Sequence, residues 1–385
     1  MKNNFSDKMR YFGPSIFIKL KEAMDSCPLP VLDLSIGTPD LPPPGHVIDA
    51  FLASASDMEN HKYAVADMQE LKDAAMEWYD RRFSVSLDPE NICGLIGSQD
   101  ALAHLPLMLL DPGDGILVPN PGYPMFLSGA RLAGAEVVDV PLYEENGYLL
   151  DYDAVSPVTA HGAKLLIISY PANPLGRLAP LDFFERTVHF AKKYGLHVIH
   201  DNAYAELVFD GAKAYSFLEA KGALDIGVEL NSLSKSYNLT GARISFMLGN
   251  SDLCKSMSRL KSNIDYGIFR PVQAMAVAAI TGPQDCLIAQ RGEYQKRRDA
   301  FLTALSEGGW NVTAPEGTMF VWAKLPPQFP DSVDFTMQLL KNTGVSVVPG
   351  ISFGSQGEGY VRIGLVRPAD EMVQAANKIT GFLRR

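Results

Sequence analysis

Lys235 stands between Ser234 and Ser236 at the end of an apolar run, with Arg243 eight residues further on, past Gly241. A lysine amine attacks an aldehyde to form a Schiff base only where its surroundings desolvate it or lower its pKa. Arg243 offers a planar fork for a phosphate, and Ser232 and Ser234 offer hydroxyl donors beside it. Upstream, Asn173 and Asp201 each follow a strand-like apolar run. The two are about one strand–helix–strand unit apart, and Lys235 lies about one more unit on. One sheet edge would therefore present all three. A buried Asp201 would be raised in pKa or paired, and a ring nitrogen is a suitable partner for it. An amine for an aldehyde, a fork for a phosphate and a carboxylate for a ring nitrogen are together the demands of pyridoxal phosphate, PLP.

Taken singly, each residue has a plainer reading. Lys235 can be a surface lysine, Asp201 a helix cap, Asn173 a stabiliser of its Asn-Pro turn and Arg362 a surface charge on a strand. The same holds for Gly37 as a turn glycine and Tyr63 as a packing aromatic. Their placement favours the chemical reading. Tyr204 and Asn173 are within reach of the ring's phenolic oxygen. Tyr123, in Pro121-Gly122-Tyr123-Pro124, is held for stacking. Arg362, on a late strand, suits a carboxylate.

The elements that must position these groups read as follows. Strand runs at Ile92–Ile96, Ile116–Val118, Ala135–Val140, Lys164–Ser169, Leu196–His200, Val228–Leu230 and Ile244–Leu248 alternate with helical segments such as Ala101–Leu110 and Phe183–Tyr194. This predicts an α/β fold with a mostly parallel, helix-covered central sheet and function at the carboxyl ends of the strands. The strand–turn–helix at Gly97-Ser98-Gln99 predicts a phosphate-binding helix start. No G-x-G-x-x-G or P-loop pattern supports a dinucleotide or NTPase reading. Thr281-Gly282-Pro283 predicts a boundary. Residues 31–280 would form a large PLP-binding domain, and residues 1–30 with 281–385 a smaller α+β domain bearing an N-terminal arm.

The chain has 385 residues, 47% hydrophobic and 20% charged, with a net charge of -10. Dispersed Lys and Arg argue against nucleic acid or an anionic membrane as partner. No apolar run is long enough to span a bilayer, and the N-terminus lacks the apolar core of a secretory signal. Cys27, Cys93, Cys254 and Cys286 are scattered, without metal-type spacing, so no metal is expected and a cytoplasmic location is.

The chain also resembles the class I/II aminotransferases, the fold-type-I PLP enzymes. The likeness runs through SIGTPD, GSQDALAHL, LDPGD, PNPGYP, YPANPLG, HDNAYAEL, SLSKSYNLTGARISF, EYQKRRDAF, VVPGISFG and YVRIGL in order. Within the family it is most similar to the alanine, LL-diaminopimelate and methionine aminotransferase group. The resemblance implies that Lys235 binds the cofactor aldehyde and Asp201 pairs with the ring nitrogen. Asn173 and Tyr204 would hold the phenolic oxygen, Tyr123 would stack, and Ser98, Gln99, Ser232, Ser234 and Arg243 would hold the phosphate. Arg362, with Gly37 and Asn173, would take the substrate carboxylate. Tyr63 would reach the phosphate of a partner subunit, making the active unit a homodimer. Met68, Gln99, Leu175, Ala242 and Ser245 depart from the family pattern and bear on substrate identity. Transfer of an amino group from a neutral L-amino acid, or LL-diaminopimelate, to a 2-oxo acid such as 2-oxoglutarate or pyruvate is the expected reaction. The apolar residues Ile16, Phe17, Tyr266, Ile268 and Phe269 favour a neutral pocket, and Arg259, Lys261 and Arg270 are candidate second cations. A C–S β-lyase of the same fold needs the same lysine and is the alternative.

Overall fold

A computed structural model describes residues 5–13 and 16–384, the side chain of Phe17 excepted. The strands in chain order are β1 (Leu32–Asp33), β2 (Ile92–Leu95), β3 (Gly115–Asn120), β4 (Glu136–Pro141), β5 (Ala163–Ser169) and β6 (His197–Asp201). They continue with β7 (Gly227–Ser232), β8 (Ser245–Gly249), β9 (Phe320–Lys324), β10 (Val345–Ser346), β11 (Val348–Pro349) and β12 (Tyr360–Gly364). Seven of them make one sheet in the order β2-β8-β7-β6-β5-β3-β4, in which only β8 runs against its neighbours.

Alternation explains why helices cover both faces of this sheet. Leu117, Leu166 and Val198 face one apolar cluster, while Ile116, Val118, Leu165, Ile167 and Ile199 face another. The first cluster is closed by helices Gln69–Phe83 and Leu181–Tyr194, whose apolar faces carry Trp78 and Phe184; the second is closed by Ser98–Leu109 and Phe126–Ala133. The edge strand β4 keeps Glu136 and Asp139 exposed, a deterrent to pairing with another chain.

A smaller antiparallel sheet, β11-β12-β9, has its own apolar cluster with helices Asp285–Glu307, Ser332–Thr343 and Ala369–Leu383. The apolar run Val345–Val348 is divided: β10 pairs with β1, and β11 pairs with β12. Val347 at the break is fully buried, so the chain crosses between sheets without surfacing. The sequence patterns had not singled out helices Gly45–Ala55, Phe126–Ala133, Ser251–Lys261 and Ser332–Thr343.

Candidate active site

Three neighbouring strands end together. The register Ser169–Asp201–Leu230 aligns β5, β6 and β7, so Asn173, Asp201 and Lys235 leave the sheet at one edge. Lys235 lies in a single helical turn, Leu233–Ser236, capped by Ser232, whose Oγ accepts from the Ser234 N–H at 3.2 Å. Its Nζ donates to the Gly37 carbonyl at 2.5 Å. Burial, and then the charges of Arg362 and Arg243, lower its pKa to about 8. Burial pushes the Asp201 carboxyl up to about 6, against the opposing influence of His200, the Ala203 N–H and Lys235. Tyr204 is buried, edge-on to Phe320 with ring centres 5.9 Å apart, and burial raises its hydroxyl pKa.

At one end of the site β2 enters helix Ser98–Leu109 through Gly97, at φ 75°. A Cβ there would strike the Arg243 guanidinium, so glycine is what lets the arginine lie on the turn. Arg243 itself adopts φ 55°, uncommon for a residue with a side chain, and its Nη1 donates to the Thr240 carbonyl at 3.0 Å. Ser98 Oγ is buried without a partner among the described residues. A helix start, a guanidinium and three serine hydroxyls meeting at one point form an anion site. Beside it, Gln99 Nε2 donates to the Tyr123 hydroxyl at 2.9 Å.

Arg362 of β12 comes from the smaller sheet. Its Nη1 donates to Asn173 Oδ1 at 3.2 Å and its Nη2 to the Ser35 carbonyl at 3.0 Å. Its guanidinium carbon stands 4.0 Å from the Phe320 ring centre. Its Nε is buried and unpartnered. Burial lowers its pKa to about 10, which leaves it a cation at neutral pH. These groups line one cavity of about 540 Å³, whose charged lining is Lys235, Arg243 and Arg362 against Asp201. A site with three cations and one carboxylate selects an anionic occupant.

The family model for aminotransferase class I and II matches residues 30–379. The chain belongs to this family. It is 41% identical over 383 residues to an LL-diaminopimelate aminotransferase of Desulforudis audaxviator, covering 98% of this chain and 97% of that one. An L-glutamine–4-(methylsulfanyl)-2-oxobutanoate aminotransferase of Bacillus subtilis is 40% identical, covering 94% and 90%. The substrate-bound BacF structure from Bacillus subtilis superposes with a TM-score of 0.95 at 34% identity, covering 98% of each chain. The fold is therefore fold type I, the enzyme is an aminotransferase, and its cofactor is PLP.

The residues present fit that cofactor. The orphaned Ser98 hydroxyl and the Gly97 cradle under Arg243 suit its phosphate, and the buried Asp201 suits a protonated ring nitrogen. Of the positions singled out in the sequence, the cavity gathers Gly37, Ser98, Gln99, Tyr123, Asn173, Asp201, Tyr204, Ser232, Ser234, Lys235, Arg243 and Arg362. Tyr63 is not among them: it is 83% exposed and packs against Tyr266, with ring centres 5.4 Å apart.

The expected pocket wall needs correcting. Ile16, Tyr266, Ile268 and Phe269 do not line the cavity, and the Phe17 side chain lies outside the described residues. The wall is instead Thr38, Leu102, Ala203, Thr240, Gly241 and Phe320. Leu102 could have been found as the residue one helical turn beyond Ser98; Phe320, from a distant strand, gave no local signal. Of the five departures from the family pattern only Gln99 lines this cavity. Arg259, Lys261 and Arg270 do not line it either, and Lys261 is buried in pairs with Asp100 and Asp265 at 2.5 and 2.8 Å.

Proposed function

We propose that the aminotransferase attaches PLP through Lys235 and uses an α-amino acid with an uncharged or internally neutralised side chain as donor. The observation that carries this is a buried lysine of lowered pKa, set between Asp201 and two arginines in one cavity. Bound PLP supplies an aldehyde for the amine and an electron sink for the charge left when the Cα proton departs. Lys235 Nζ, neutral over part of the working pH range, would serve as the base for the Cα proton. Asp201 holds a positive ring nitrogen, and Asn173 and Tyr204 orient the phenolic oxygen. Tyr123 stacks on the ring. Ser98, Gln99, Ser232, Ser234 and Arg243 bind the phosphate. Arg362, with its free Nε, fixes the substrate α-carboxylate, with Asn173 and Gly37 beside it.

The remaining lining is Thr38, Leu102, Ala203, Thr240, Gly241 and Phe320, and no further cation lines the cavity among the described residues. An aspartate side chain would be desolvated there without a partner. Alanine, methionine and LL-diaminopimelate, whose distal amine and carboxylate neutralise one another, avoid that penalty; 2-oxoglutarate or pyruvate would be the acceptor. The names of the Desulforudis and Bacillus relatives support this range. A donor screen tests it: LL-diaminopimelate, methionine or alanine should exceed aspartate in kcat/KM, and a preference for aspartate would overturn the neutral pocket.

The same reading takes the active unit as a homodimer in which Tyr63 serves the partner's phosphate. Its exposure, with the exposed Tyr266 ring packed against it and the exposed Val65 two residues on, supports this. It also divides the chain into residues 31–280 and residues 1–30 with 281–385; most of each sheet's apolar cluster falls within its own unit, while β1 pairs with β10 and Leu34 joins the smaller sheet's cluster. Four free cysteines support a cytoplasmic location. Among the described residues no helix is long and apolar enough to cross a membrane.

A further inference from the structure

Behind the site, on the opposite side of the same strand ends, lies a charged cluster that the chemistry above does not use. Glu229 of β7 is fully buried. Its Oε1 accepts from the Tyr79 hydroxyl at 2.6 Å and from Asn202 Nδ2 at 3.0 Å. Its Oε2 accepts from the Ser216 hydroxyl and the Phe217 N–H, both at 2.8 Å, and faces His200 Nδ1 at 2.8 Å. The second ring nitrogen of His200, Nε2, faces the Tyr170 carbonyl at 2.8 Å.

A carbonyl only accepts. A carboxylate already receiving four other donors is held ionised, and it too only accepts. Both imidazole nitrogens must then donate, so the ring carries two protons and a positive charge. Burial alone would raise the Glu229 carboxyl; His200, Tyr79 and Asn202 together hold it below its ordinary value. The uncharged Phe184 and Phe217 rings also lie against it, with centres 4.9 and 6.4 Å away.

We propose that His200 is a buried imidazolium locked by Glu229, and that it serves as a positioning residue that keeps its chain neighbour Asp201 ionised against the cofactor's ring nitrogen. A buried ion pair is weak evidence for stability, because apolar residues of equal volume often do better. The pair is placed where its charge matters. His200 adjoins Asp201 in β6, and Glu229 stands opposite His200 on the neighbouring strand β7. The other titratable groups near Asp201 are Lys235 and the hydroxyls of Tyr123 and Tyr204, whose pKa values burial raises, and the Ala203 N–H donates to it at 3.3 Å. Burial is the largest influence on Asp201, and His200 is the first to oppose it. The cluster also joins the three strands that carry the site: Tyr170 follows β5, Asn202 follows β6 and Asn231 of β7 donates to the Tyr79 hydroxyl at 3.2 Å.

This rests on the assignment of Asp201 to the ring nitrogen, but its first test does not. Nitrogen-15 NMR of histidine-labelled holoenzyme, with His200 assigned through His200→Asn, should show both ring nitrogens protonated. A neutral tautomer at His200 would overturn the proposal. The second test is the charge-neutral double variant, His200→Asn with Glu229→Gln, against Tyr79→Phe as a control that removes one hydrogen bond and no charge. The double variant should move the acid limb of the kcat profile to higher pH by about one unit, a tenfold loss of rate along that limb. Tyr79→Phe should lower the melting temperature and leave the limb in place. A folded, PLP-loaded double variant with the parent limb would reduce the cluster to a structural role. If the double variant fails to fold, the NMR result alone decides. Failure of PLP to bind Lys235 in the parent would count against the cofactor assignment and not against the state of His200.

Discussion

Lys235 is costly to bury, and that cost is measurable. Without cofactor its folded pKa is about 8, against an ordinary 10.5. Between those values the unfolded chain binds more protons than the folded one, so this residue's contribution to stability rises with pH through that window. Below about pH 8 the burial penalty is present in full. Cofactor-free Lys235→Met should therefore be more stable than the parent at neutral pH, by roughly 2–3 kcal/mol, and the gap should close toward pH 10.5. Urea melts of the two proteins at several pH values check this. Arg362 makes a complementary case. Its Nη1 and Nη2 are engaged by Asn173 and Ser35, and its Nε is free. Arg362→Lys keeps a charge but loses the fork, so KM for the amino donor should rise about tenfold to a hundredfold, from the loss of roughly 1.5–3 kcal/mol, with a smaller change in kcat. Steady-state kinetics with varied donor at fixed acceptor reads the split.

At the scale of elements, helix Asp285–Glu307 fastens the two sheets' contributions together. Gln290 Nε2 donates to the Lys235 carbonyl at 2.6 Å. Two turns on, Arg297 is bidentate to Asp40 at 2.7 and 2.9 Å and donates to the Leu365 carbonyl at 3.1 Å. Those contacts hold the Gly37 loop from one side and the strand of Arg362 from the other. Arg297→Met should cost about 2–4 kcal/mol in urea unfolding, the lower end because Asp40 remains partly solvated. It should also raise KM, because Arg362 loses its support. This helix also marks the limit of sequence reading. Arg297 reads like any other arginine in Gln295-Lys296-Arg297-Arg298 until Asp40 is known to face it. The strand ends were legible for the opposite reason. Apolar runs ending in Asn-Pro, Asp-Asn or Ser-x-Ser-Lys have a period and a stop that depend on no distant residue. Glu229 shows the failure clearly: Val228-Glu229-Leu230-Asn231 alternates like a strand with one wet face, yet both faces are buried. Its partners come from helix Gln69–Phe83 and the loop at Ser216, neither of which local periodicity can place.

On the scale of the whole molecule, the cavity collects groups from both ends of the chain, Gly37 and Arg362, around a sheet assembled from its middle. Tyr63 stands apart from that cavity on an apolar surface, where it would reach a second copy of the chain. Mixing Tyr63→Phe with Lys235→Ala protein under conditions of subunit exchange should restore part of the activity that neither has alone. No recovery, with exchange verified by mass, would assign each site to one chain. The most direct test of the account is the site of cofactor attachment. PLP-loaded protein should lose its visible absorption band on borohydride treatment, and peptide mass mapping should then find the reduced cofactor on Lys235. Attachment to any other lysine, or protein that shows no visible band with PLP in excess, would contradict it.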